Sequence, residues 1–279
     1  MPEMSEQDVL ASNTNAVNPE NPAKDERFGG TRRLYGSKAI QKLTDSHVVV
    51  VGIGGVGSWI VEALARTSIG KLTLIDLDDI CVTNTNRQIH AMQGNIGKLK
   101  VEAMAERVRA INPGCDVDPV ADFISEKNQA ELLSMKPDFV VDAIDSVPAK
   151  VALIAYCKRN KIKIISIGGA GGQTDPLKIT VGDLSRTIQD PLAAKVRSEL
   201  RRKHQFSKNP KRKFGVECVY STEQLVYPTP EGETCQQKQF VDGSVKLDCS
   251  GGLGAAVSVT ATFGMVAASR VIDKLTRII

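Results

Sequence analysis

Five residues, His47–Val51 (HVVVV), run without a break into the turn Gly52-Ile53-Gly54-Gly55-Val56-Gly57. A continuous apolar run of β-branched side chains marks a strand covered on both faces, as in a parallel sheet. Residues 58–66 then carry a helical pattern. Glycine at 52, 54 and 57 permits a tight turn, a close approach of backbone to a ligand, and close packing of helix on sheet. The free N–H groups at the start of such a helix face an anion. This strand–turn–helix excludes all-α and all-β folds and predicts a phosphate cradle.

The alternation continues along the chain. Apolar runs predict strands over 72–75, 117–121, 139–143 and 163–167. Helical patterns predict helices over 98–110, 126–135 and 149–159, the first of them stopped by Asn112-Pro113-Gly114. Upstream, Leu34, Ala39, Ile40 and Leu43 form an inward face from Arg27 onward. The fold class is therefore α/β, with a doubly wound, mostly parallel, Rossmann-like sheet up to about residue 172. Three parts follow. Residues 1–26 read as a disordered polar arm with a net charge of −5. Residues 27–172 form the nucleotide-binding part. Residues 173–279 are a less regular substrate region, in which Asp190-Pro191 cap and open a basic helix over 191–204. Loops and short strands are expected over 205–247.

Other classes drop out on composition. The start, MPEMSEQDVL, lacks a basic segment followed by an apolar run, so it carries no secretory signal, and a cytoplasmic location is expected. Residues 249–269 hold 21 positions without a charge, long enough to cross a bilayer. They are dominated by Gly, Ser, Thr and Ala, so they read as a tightly packed segment. Membrane association through them is the competing reading. Six cysteines without a Cys-x-x-Cys pair argue against a disulfide scaffold and a zinc ribbon. No GxxxxGK[ST] loop is present.

The glycine turn alone does not say which nucleotide binds. Asp76, 19 residues past Gly57, ends the second predicted strand, where a carboxylate can accept from ribose hydroxyls. After it come Asp78, Asp79, Asn84, Asn86, Arg87 and Gln88, then Lys100, while Asp142 and Asp145 end a later strand at the same edge. A nicotinamide site needs neither cations nor acids beyond Asp76. Arginine and lysine at a triphosphate neutralise the charge that develops as pyrophosphate leaves, and a nearby carboxylate suits Mg²⁺.

The set RFGG, GIGGVGSW, LIDLDD, TNTNRQ, GKLK, DAIDS and GGAGG resembles the E1-like ThiF/MoeB adenylating superfamily. ICVTNTNRQIH, AIDSVPAKVALIAYCKRNKI and TIQDPLAAK are similar to one branch, the tRNA threonylcarbamoyladenosine dehydratases. The resemblance implies that Gly52, Gly54, Gly55 and Gly57 cradle the phosphates of ATP and that Asp76 binds ribose, with Asp78 and Gln88 beside it. It also implies that Asn84, Arg87 and Lys100 contact the triphosphate, and that Asp145 holds Mg²⁺. Arg87, Lys100 and Asp145 are then the catalytic set. Any arginine finger would come from Arg27, Arg32 or Arg33, because Gly30 stands where the family has a second arginine. The implied reaction adenylates the threonyl carboxylate of N6-threonylcarbamoyladenosine at tRNA position 37 and closes a ring with loss of water. The alternative is activation of a ubiquitin-like sulfur carrier. A homodimer is implied, with a SufE-type or cysteine-desulfurase partner as an additional expectation. A monovalent cation is a further cofactor that nothing in the sequence locates.

Residues 195–213 hold nine bases and one acid. Lys195, Arg197, Arg201, Arg202, Lys203, Lys208, Lys211, Arg212 and Lys213 could neutralise several tRNA phosphates. Other residues read as bland. Cys81 and Cys157 pack in apolar surroundings, and Cys218, Cys235 and Cys249 fall where relatives place an acceptor cysteine. Trp59 reads as core, and His90 as a minor candidate near substrate.

Overall fold

The computed structural model describes residues 26–236 and 253–277. Seven strands form one sheet: β1 (His47–Val51), β2 (Lys71–Ile75), β3 (Asp116–Val120), β4 (Phe139–Asp142), β5 (Ile164–Ile167), β6 (Ile179–Asp183) and β7 (Glu217–Ser221). Their order is β3-β2-β1-β4-β5-β7-β6. All neighbours are parallel except β6 and β7. A two-residue pair, β8 (Tyr227–Pro228) with β9 (Thr234–Cys235), stands apart.

The helices are α1 (Gly29–Tyr35), α2 (Ser37–Thr44), α3 (Gly57–Ala65), α4 (Lys100–Ile111), α5 (Gln129–Leu132), α6 (Val147–Arg159), α7 (Pro191–Lys203) and α8 (Val257–Thr276). They cover both faces of the sheet. Val48 and Val50 join a cluster with residues of α2, α3, α4 and α8, whereas Val49 and Val51 join one with α6 and α7. The alternation of side chains along β1 thus feeds two helical layers, which is why the sequence shows an unbroken apolar run.

Several expectations need correction. Leu34 is 76% exposed. The chain bends at Gly36 (φ +87°), so α1 and α2 are separate, and only Ala39, Ile40 and Leu43 reach the core. The helix expected over 126–135 shrinks to the single turn α5, which buries none of its own residues. The apolar residues that reach the core, Leu132 and Leu133, are adjacent at its end and form no stripe to hold a longer helix. Past residue 172, β6 and β7 extend the same sheet. Within residues 249–269, positions from 257 onward belong to α8, which packs against α3. A Cβ at Gly264 would lie 2.7 Å from Trp59 Cβ and 3.0 Å from the Val56 carbonyl. That glycine lets the two helices touch, and among the described residues no helix is long and apolar enough to cross a membrane. The arm over 1–25, and Cys249, lie outside the described residues.

Candidate nucleotide site and basic face

The strand order reverses direction at β1, with β2 and β3 on one side and β4 and β5 on the other. In open α/β sheets a ligand binds at such a point, outside the carboxyl ends of the strands. Three loops meet there: the glycine turn after β1, the Asp76 segment after β2, and the Asp142–Asp145 segment after β4. Register aligns them, because Val51 pairs with both Ile75 and Asp142.

The four glycines divide the work. Gly52 has φ +88°, and a Cβ there would meet the Ala143 carbonyl at 2.7 Å. A Cβ at Gly57 would sit 1.7 Å from the Gly52 carbonyl. These two glycines are required by the backbone itself. A Cβ at Gly54 would meet nothing closer than Gln88 Nε2 at 3.9 Å, so this glycine keeps room above the turn, while one at Gly55 would press on Arg87 Cγ and Cδ at 3.3 Å.

Asp76 fixes the turn from below. Its Oδ2 accepts from Ile53 N–H at 2.6 Å and its Oδ1 from Asp78 N–H at 2.9 Å. Burial pushes this carboxyl above its usual range, opposed by the Lys100 charge. From the other side, His90 Nε2 lies 2.8 Å from the Ile53 carbonyl. Burial lowers the His90 pKa to about 4, so the ring is neutral and donates through Nε2. His90 is therefore a brace of the turn and is itself 1% exposed.

Lys100 starts α4 with its side chain 8% exposed and its Nζ 2.7 Å from Asp78 Oδ2. Arg87 Nη1 donates to the Thr83 carbonyl at 3.0 Å and to Asn86 Oδ1 at 2.9 Å. Its own carbonyl accepts from Trp59 Nε1 at 3.0 Å, so Trp59 packs on α8 and also anchors the arginine segment. Asn84 is buried and caps a short turn, its Oδ1 accepting from Cys81 N–H at 3.0 Å. Gln88 is buried, and its Oε1 has no hydrogen-bond partner. Asn86 Nδ2 donates to the Ala255 carbonyl at 2.9 Å, tying this loop to the lead-in of α8.

The two aspartates after β4 part company. Asp145 is exposed. Asp142 is fully buried, paired with Lys150 at 2.9 Å and accepting from Ser166 Oγ at 2.7 Å. Sequence reasoning missed Lys150, which looks like any helix lysine; only its place one turn into α6, eight residues after an apolar strand, hints at an inward role. It also missed what Asp190 does beyond its cap. Oδ1 accepts from Ala193 N–H at 2.9 Å, as expected of a helix cap, while Oδ2 accepts from Gly169 N–H at 3.0 Å. A Cβ at Gly168 would overlap that carboxylate. The basic helix is thus fastened to the glycine segment that ends β5.

The basic candidates also separate. Arg197 donates to Thr187 Oγ1, and Arg201 donates to the Ser207 carbonyl at 3.2 Å while lying 5.2 Å over the Phe214 ring. Both are half-buried fold contacts. Arg202 and Lys203 share Glu199 at 2.7 and 3.0 Å. Lys195, Lys208, Lys211, Arg212 and Lys213 are exposed. Cys81 is exposed, contrary to the packing role expected for it. Burial raises the thiols of Cys115 and Cys157 to about 12 and pushes the Cys218 thiol up as well. These three are poor nucleophiles, because the thiolate is the reactive form.

A model of the ThiF family matches residues 30–278. The chain belongs to the ThiF family. Within it, the chain is 58% identical over 250 residues to the tRNA threonylcarbamoyladenosine dehydratase of Escherichia coli (strain K12), covering 90% of this chain and 93% of that one. A crystal structure of the E. coli tRNA N6-threonylcarbamoyladenosine dehydratase in complex with ATP superposes with a TM-score of 0.80 at 56% identity, covering 90% of this chain and 93% of the other. A molybdopterin-synthase adenylyltransferase of the same organism is more distant, 32% identical over 45% of this chain and 50% of its own length. The sheet order and the glycine turn described above are the ThiF frame of this chain.

Proposed function

We propose that this chain is an ATP-dependent tRNA-modifying enzyme that dehydrates N6-threonylcarbamoyladenosine at tRNA position 37 to its cyclic form. The observation that carries this is the meeting of Arg87, Lys100 and the open glycine Gly54 at the strand-order reversal, with Arg87 lying over Gly55, in a chain so similar to a dehydratase crystallised with ATP.

ATP is the co-substrate in this reading. Its phosphates lie over Gly52, Gly54, Gly55 and Gly57, at the start of α3. Asp76 accepts from ribose with its remaining lone pairs, since an ionised carboxylate has about four acceptor sites. Asn84, through its amide N–H groups, and Gln88 and Asp78 line the same space. Arg87 and Lys100 neutralise the charge that grows on the phosphates as the threonyl carboxylate attacks the α-phosphorus and pyrophosphate departs. The carbamoyl group, held next to the acyl-adenylate, then displaces AMP and closes the ring. Proximity supplies much of that second step. No group of three potential ligands clusters among the described residues. Mg²⁺ on a triphosphate needs only one or two protein carboxylates, and exposed Asp145 fits that requirement. Bound there, Mg²⁺ would supply Lewis-acid polarisation of the phosphates.

The exposed lysines and arginines of 195–213 contact tRNA in this reading, Lys195, Arg202, Lys203, Lys211, Arg212 and Lys213 directly. Arg197 and Arg201 act by shaping the helix and the loop after it. A homodimer, a cytoplasmic setting and a SufE-type or cysteine-desulfurase partner belong to the same proposal, as does a monovalent cation. Activation of a ubiquitin-like sulfur carrier is less well supported, because the adenylyltransferase likenesses are 32% and 29% identical over 45% and 60% of this chain, against 58% over 90% for the dehydratase.

The test is product analysis with ATP, Mg²⁺ and tRNA bearing the threonylcarbamoyl group. The expected result is AMP together with a nucleoside lighter by one water. AMP formed only when a small protein ending in Gly-Gly is added, and independent of tRNA, would establish the alternative.

A further inference from the structure

A second site lies at the far end of α7. There the last turn of α6 and the loop after α7 enclose a cleft of about 430 Å³. Lys158, Arg159 and Lys213 line it, together with His204, Phe206 and Phe214. The two phenylalanine rings meet edge to face at 4.9 Å, and Arg201 lies over Phe214. Lys158 Nζ reaches the Gly215 carbonyl at 3.1 Å, so one cation is already held at the wall. Arg159 and Lys213 make no ion pair among the described residues, nor do Lys208, Lys211 and Arg212 beside them. A neighbouring depression of about 280 Å³ shares Arg159 and His204 and is lined by Glu126, 4.0 Å from His204 Nε2; the other nearby acids, Asp183 and Glu199, are engaged by the Phe214 and Gly215 N–H groups and by Arg202 and Lys203. Among the described residues His204 Nε2 has no hydrogen-bond partner.

Clustered cations around an aromatic floor suit a phosphate backbone with its bases or sugars laid against apolar rings. The place of the cleft narrows this further. α7 begins at Asp190, which holds Gly169 at the ligand edge. It then runs 13 residues to Lys203, about 20 Å at 1.5 Å per residue. α6 runs the same way, from the Asp142–Asp145 edge to Arg159. The cleft therefore sits at the opposite edge of the sheet from the glycine turn. Along a stacked strand, about 20 Å corresponds to roughly six nucleotides at 3.4 Å each.

Resting on the dehydratase reading above, we propose that the cleft formed by Lys158, Arg159, His204, Phe206, Lys213 and Phe214 binds the sugar–phosphate backbone of the tRNA stem, about six nucleotides from the base being modified. The glycine-turn pocket does the chemistry, and this cleft checks that a stem of the right length and path accompanies the base. A short loop lacking that stem fills only the first of the two.

The experiment compares two RNAs carrying the modified nucleoside: full-length tRNA, and a stem–loop shortened to two base pairs. Each is titrated by fluorescence anisotropy and assayed for AMP release, with the wild type and with a Lys158→Glu/Arg159→Glu variant. ATP affinity is the folding control, since ATP binds at the other edge. The expected result is a tenfold or larger rise in Kd for full-length tRNA, with a shallower dependence on salt. The shortened RNA should show no difference between wild type and variant. Equal losses on both RNAs, or an unchanged salt slope with full-length tRNA, would overturn the proposal. If the wild type binds tRNA through the cleft but releases no AMP with either RNA, the dehydratase reading fails and the cleft stands as an RNA site.

Discussion

Lys150 and Asp142 face each other at 2.9 Å with their side chains 2% and 0% exposed. Ser166 Oγ donates to the same carboxylate at 2.7 Å. The pair lies directly beneath the segment that leads from β4 to Asp145, so it sets the floor of the candidate nucleotide site. Removing one member of a buried pair leaves the other charge without compensation. Lys150→Met is expected to lower stability by about 3–5 kcal/mol in urea denaturation. Adding Asp142→Leu should recover most of that loss, because a buried pair replaced by apolar groups is often neutral. A single variant within about 1 kcal/mol of the wild type would show that the carboxylate is not the isolated charge described here.

The glycines of the turn make separable predictions. A Cβ at Gly57 would collide with the Gly52 carbonyl, whereas one at Gly54 meets nothing closer than 3.9 Å. Gly57→Ala should therefore destabilise the fold, seen as a fall in Tm. Gly54→Ala should leave Tm close to the wild type and raise the Kd for ATP about tenfold or more, since overpacking a filled site costs about 1–3 kcal/mol. Calorimetry on both variants distinguishes the two roles.

Lys100 places a nearly buried ammonium beside the turn and balances it with Asp78. Its proposed task is to meet charge that appears only as pyrophosphate leaves. Lys100→Ala should lower kcat for AMP release by about 10²–10³-fold, the scale found when one preorganised donor to a developing charge is removed. ATP binding should fall much less. A change confined to KM would assign Lys100 to ground-state binding.

His90 makes stability depend on acidity. Burial lowers its pKa to about 4 in the fold, against the ordinary 6.5 of a histidine. The unfolded chain therefore takes up a proton that the folded chain refuses. The stabilisation is complete above pH 6.5 and is lost as pH falls toward 4, with about 2 kcal/mol gone by pH 5. His90→Gln keeps a donor for the Ile53 carbonyl and does not titrate. Denaturation at pH 7 and pH 5 should show a smaller difference for this variant than for the wild type, and equal differences would remove His90 from the account.

The strands β1, β2, β4 and β5 were readable because each is a short apolar run buried on both sides, and the glycine turn because its backbone tolerates nothing else; β3, at the sheet edge, buries only Val117. The N-terminal cap of α7 was equally plain in Asp190-Pro191. What escaped notice depended on partners distant in sequence. Lys150 is indistinguishable from a surface lysine until Asp142 is seen beneath it. Arg197 and Arg201 look like free charges until Thr187 and Phe214 come near. α8 was hidden by its composition, since Gly, Ala, Ser and Thr give a weak period. Yet those small residues, Gly264 above all, are what let it lie close on α3. Leu34 and the 126–135 segment misled in the other direction: Leu34 has no surface to bury against, and in 126–135 only Leu132 and Leu133 reach the core, too few for a helical stripe.

The packing of α8 on α3 also bears on synthesis. The helix that starts at Gly57 emerges early from the ribosome, and the helix that covers it emerges only after most of the chain has been made. Until then the side of α3 that meets Gly264, at Trp59, lacks its cover, although the sheet and α4 already hold the opposite side. A chain cut before residue 255 loses both the cover over Trp59 and the carbonyl that holds Asn86, so its ATP affinity is expected to fall.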